Sequence, residues 1–128
     1  MWPILLLLLW SQAVAEPDFA FFKAKVQPLF LEKRPGHARC IVCHERSTAF
    51  RLQRLGPERS GWTDEESRKN FEAARRFIRP GEPQRSRLLL MPLAHEEGGT
   101  EFHPGGKHWT SQSDPEWKTL AAWVNGAR

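Results

Sequence analysis

The stretch Arg39-Cys40-Ile41-Val42-Cys43-His44 holds the only two cysteines of this 128-residue chain, separated by two residues and followed at once by a histidine. Three chemistries compete for that spacing: a redox dithiol, half of a zinc site, and covalent attachment of haem. A redox CxxC normally opens a helix after a strand in a βαβ setting, and no strand alternation precedes Cys40. Structural zinc usually takes four Cys or His ligands in two close pairs, and the chain has no second thiolate pair. A Cys40–Cys43 disulfide would close a loop so short that it restrains little of the unfolded chain, and it would leave His44 unexplained. Haem attachment employs all three residues. Each thiol adds to one vinyl group, and the imidazole that follows faces the iron.

The compartment bears on the same choice. An apolar run from Ile4 to Trp10 is followed by Ala13-Val14-Ala15, the small-x-small pattern cut by signal peptidase. Residues 1–15 are therefore expected to be a signal peptide and Glu16 the mature N-terminus, with a periplasmic or otherwise exported location. No Lys or Arg precedes the run, a departure from the usual leader. A span needs about 20 apolar residues, so no integral membrane span is expected in the mature chain. No cysteine follows the cleavage position to carry a lipid. Residues 16–128 have the length of one small domain. Ten prolines and nine glycines predict a loop-rich body with a modest core, which an apolar cofactor would help to fill. The formal charge is +4 and the pI about 9.5. Nineteen Lys and Arg are mixed with fifteen acids, without the aromatic-basic interleaving of a nucleic-acid binder.

Three helices are predicted, and the expected class is all-α. Asp18 can cap a segment in which Phe19, Phe22, Val26 and Leu29 or Phe30 recur at helical spacing, with a kink or early end at Pro28. Thr63 and Glu66 form a capping box before the stripe Phe71, Ala74, Phe77 and Ile78, which Arg79-Pro80-Gly81 stops. Asp114 and Pro115 start the last helix, whose face carries Trp117, Leu120, Ala121 and Val124 before Gly126. The segment Phe50 to Leu55 reads as a short extended or hairpin piece.

Val26-Gln27-Pro28-Leu29-Phe30 leading to the CxxCH, then Arg79-Pro80-Gly81-Glu82-Pro83 with Ser86 and Leu88-Leu89, and finally Leu120 to Ala127, together resemble a bacterial monohaem cytochrome c domain, nearest the planctomycete type. The resemblance spans nearly the whole of residues 16–128, and only the CxxCH is individually specific. It implies the cytochrome c fold, with Phe19 or Phe22 and Trp123 or Val124 near a crossing of the terminal helices. It also implies one covalent haem c on Cys40, Cys43 and His44.

The distal iron ligand has four candidates: Met91, His95, His103 and His108. Met91-Pro92 has the form used by many cytochromes c. His103-Pro104-Gly105-Gly106 matches the His-x-Gly-Gly stretch of the planctomycete type, so the resemblance favours His103. Glycines there let the loop approach a haem face closely. Arg39, Lys107 and the arginines near Arg85 are candidates to neutralise propionates. The function implied is one-electron transfer with redox proteins as partners. The competing expectations are a peroxidase-like or ligand-binding haem protein with an open distal side, to which His95 and Glu96 would contribute, and a non-haem redox module.

Overall fold

A computed structural model describes residues 15–46 and 49–128. The signal-peptide assignment falls, apart from Ala15, outside the described residues. Among those described the chain is all-α, with an isolated parallel bridge between Leu93 and Trp109 as its strand-like pairing. No described helix is long and apolar enough to cross a membrane.

Helix α1 (Phe19–Phe21) starts where the Asp18 carboxylate accepts from the Phe21 amide at 2.8 Å. The helical path then widens into a π turn, Phe22–Val26, and tightens into a 3-10 turn, Gln27–Leu31. The kink expected at Pro28 takes this form. Proline has no N–H to return to the preceding turn and its ring crowds the carbonyl there, so the α register is not kept. Phe22, Val26 and Phe30 nevertheless stay on one buried side.

Helix α3 (Asp64–Arg75) carries the expected capping box in full, with Glu66 N–H donating to Thr63 Oγ1 at 3.2 Å and Thr63 N–H to Glu66 Oε2 at 2.8 Å. It ends at Arg75 rather than running to the Arg79-Pro80-Gly81 stop. Beyond that point other partners take over the backbone: the Phe77 carbonyl accepts from the Leu88 amide at 2.9 Å, and Arg79 N–H donates to Ser86 Oγ at 2.8 Å. Helix α4 (Arg87–Leu90) is a single turn. Helix α5 (Pro115–Val124) has the Asp114 cap, with Glu116 N–H donating to Asp114 Oδ1 at 2.9 Å. Its far end is closed by bonds from Gly126 N to the Trp123 carbonyl and from Ala127 N to the Ala122 carbonyl.

The first and last helical segments pack on each other and on α3 through aromatic rings. Phe22 lies 5.1 Å from Trp123 and 5.5 Å from Phe71, ring centre to ring centre. Such pairs add about 0.5–1.5 kcal/mol beyond the area they bury. Of the pairings expected from the resemblance, Phe22 with Trp123 is the one formed, while Phe19 sits partly exposed against Phe71. The Trp123 indole N–H donates to the Asp18 carbonyl at 3.1 Å. Beneath this cluster Gln27, Ser67 and Asn70 form a buried polar chain. Gln27 Nε2 donates to Ser67 Oγ and Asn70 Nδ2 donates to Gln27 Oε1, both at 2.9 Å.

Candidate cofactor site

Helix α2 (Cys40–His44) is a short helix anchored by buried Ile41. Cys40, Cys43 and His44 stand at helical positions i, i+3 and i+4, which share one face. That face lines a cavity of ≈ 250 Å³. Its walls are largely apolar, formed by Leu29, Phe30, Phe50, Phe77, Leu88 and Leu120. Met91 and the His103-Pro104-Gly105 stretch line the same cavity.

Both thiols are free, Cys43 exposed and Cys40 half-buried. Burial pushes the Cys40 thiol above its ordinary range, although Arg34 beside it acts in the opposite direction.

The imidazoles are oriented by backbone carbonyls. His44 Nδ1 lies 2.7 Å from the Phe50 carbonyl and His103 Nδ1 lies 2.8 Å from the Gly106 carbonyl. A carbonyl can only accept, so each Nδ1 carries a proton. Burial pushes His44 below the usual imidazole range, opposed by its bond to Phe50 and reinforced by His103. A neutral imidazole is the form that ligates metal. The two ring centres are 6.3 Å apart and the planes differ by 14°. Two bonds of about 2 Å to a shared metal, each extended by the ~1 Å from ring nitrogen to ring centre, span about 6 Å. The observed separation matches the one that a metal shared between two imidazoles requires. Among the described residues no three His, Cys, Asp or Glu side chains gather to hold a bare ion. Two protein ligands suit a metal that brings its remaining donors in a macrocycle, and the adjacent thiols suit the edge of that macrocycle.

The glycines of the His103–Gly106 stretch sit in a sharp turn against other histidine rings. Gly106 has φ +84°, and a Cβ there would stand 3.2 Å from the His37 ring; a Cβ on Gly105 would stand 3.2 Å from His103 Cε1. Met91 also lines the cavity, half-buried at the end of α4. His95 and Glu96 are exposed on a 3-10 turn and are absent from the cavity wall. His108 lines the cavity beside His37, with ring centres 4.5 Å apart. Burial, with His37, Arg34 and His103 acting alike, pushes its imidazole down to about 4.

Of the basic residues, Arg39 lines the cavity. Lys107 instead donates to the Met91 carbonyl at 2.8 Å and to both oxygens of Thr100, tying the distal loop together, and Arg85 pairs with Glu82. Sequence reasoning missed Arg34, which is buried on the wall and forks onto Glu116. It also missed Trp109, whose ring lies 5.9 Å from the Arg34 guanidinium. The Nε1 of Trp109 and Nδ1 of His108 are buried on this wall without a hydrogen-bond partner among the described residues. Orphaned buried polar atoms are costly, and both border the space a cofactor would fill. No family model matches the chain, and no match was found among curated proteins or solved structures.

Proposed function

We propose that this chain is an exported monohaem c-type cytochrome domain of the kind its sequence resembles. Haem is bound through thioethers to Cys40 and Cys43, with His44 as the proximal and His103 as the distal iron ligand. The observation that carries the reading is the imidazole pair, 6.3 Å apart and nearly parallel, lining one apolar cavity together with both thiols. Packing of Phe22 on Trp123 supports the cytochrome c fold, in which the terminal helices cross beside the haem. Bound there, the haem supplies one-electron exchange between Fe(II) and Fe(III). The residues of the chain hold the orientation of both imidazoles through the Phe50 and Gly106 carbonyls and line the cavity with Leu and Phe side chains that exclude water. Two imidazoles favour the ferric state relative to a thioether ligand, so a comparatively low potential follows. The partners are redox proteins.

The test is an absorption spectrum of protein matured in a haem-attaching host, followed by acid-acetone extraction. Colour that stays with the polypeptide and a low-spin spectrum without the sulfur-ligation band near the red edge support the reading. Extractable haem, or none, defeats it. Met91 lines the same cavity, and the sulfur band would assign it as the distal ligand instead.

A further inference from the structure

Among the described residues, the segment from Phe50 to Gln53 forms no strand pairing, yet its backbone is fixed on two sides. Toward α2, the Phe50 carbonyl takes the His44 Nδ1 proton, and Leu52 N–H donates to the His44 carbonyl at 2.7 Å. Toward α3, Gln53 N–H donates to Asn70 Oδ1 at 2.7 Å, and the Trp62 indole donates to the Gln53 carbonyl at 2.9 Å. Asn70 is fully buried and is itself held by Gln27, which Ser67 holds in turn. A continuous chain of bonds thus runs from the first helical segment through α3 to the strap that orients His44. The apolar core alone does not explain it, because Asn70 could be a leucine if only packing were needed there.

We infer that Asn70 is a positioning residue for the proximal imidazole: by holding Gln53 it fixes the Phe50 carbonyl against His44 Nδ1. The inference rests on the proposed haem reading for its redox consequence, though not for its geometry. A hydrogen bond at Nδ1 makes a ligating imidazole a stronger donor, which stabilises ferric iron and lowers the potential. Weakening it raises the potential.

The experiment compares Asn70→Ala with Ser67→Ala in the full chain. Ser67→Ala deprives Gln27 of a buried partner and costs stability, yet it leaves the Asn70–Gln53 bond in place. In Asn70→Ala the potential should move upward and the His44 Nδ1 proton should exchange about tenfold faster, as expected for one weakened hydrogen bond. Neither should change in Ser67→Ala. Equal shifts in both variants, or none in Asn70→Ala, would overturn the inference. Should Asn70→Ala not fold, Gln27→Leu leaves Asn70 present but unanchored and should shift both readouts in the same direction. Nitrogen-15 shifts of the His44 ring report the Nδ1 proton with or without haem. A chain lacking haem therefore fails the functional proposal while the positioning claim is still decided by that signal.

Discussion

His103 and Met91 share one cavity wall, and single substitutions separate them. His103→Ala should leave the iron open, so that carbon monoxide or cyanide binds and the spectrum changes, whereas Met91→Leu should keep the low-spin spectrum of the unmodified protein. The reverse pattern would assign Met91. Gly99 is a second position where one atom decides. A Cβ there would lie 1.9 Å from the Leu93 carbonyl oxygen, a backbone atom that cannot swing aside. Gly99→Ala should therefore cost about 1–3 kcal/mol in urea unfolding, and a cost near zero would mean the loop is placed differently. At this scale the sequence was informative where chemistry is carried by rare residue types: Cys40, Cys43, His44 and His103 all reach one cavity. It was uninformative for Arg34, Trp109 and Asn70, ordinary residues whose roles arise only from partners such as Glu116, 82 residues away. Gly99 was hidden as well, since its need comes from a carbonyl in a neighbouring turn.

Helix α3 offers a test at the level of an element. Its first turn is held by the Thr63–Glu66 box, and Thr63→Ala should lower stability by about 1 kcal/mol in chemical denaturation. Arg59 holds the Glu66 carboxyl down at about 2, from an ordinary 4.5, with Thr63 N–H helping. A carboxyl depressed in the folded state contributes stability that is present above its unfolded value and is lost as pH falls toward the folded one. The melting-temperature advantage of the unmodified chain over Glu66→Gln should accordingly shrink between pH 4.5 and 2. An advantage unchanged across that window would show that the Arg59 pair contributes nothing. The starts of α3 and α5 were legible because caps are local: Thr63 with Glu66, and Asp114 with Pro115, need no knowledge of the rest of the chain. The end of α3 was not, since Phe77 and Arg79 bond to Leu88 and Ser86 instead of continuing the helix. The π turn before Pro28 and the 3-10 turn that contains it were foreseen as a break but not in kind, because proline forbids the α register without dictating its replacement.

For the molecule as a whole, the described helices surround a cavity of about 250 Å³, which the proposed haem would fill and so support. Replacing Cys40 and Cys43 together by alanine should leave any haem extractable and lower the melting temperature, because a ligand that binds only the folded state contributes to its stability. A double variant as stable and as coloured after extraction as the parent would contradict that dependence. The proposed leader is checked by intact mass, with Glu16 expected as the first residue of the purified native protein. One bond bears on how this body comes into being. The Asp18 carbonyl waits for the indole of a residue 105 positions later. Contacts so remote in sequence form slowly, since the intervening chain must be brought together first. During synthesis, the Cys40–His44 segment therefore emerges long before Trp123 can dock. For that interval its thiols belong to an open chain, and only with the arrival of α5 does Leu120 complete the cavity wall beside them.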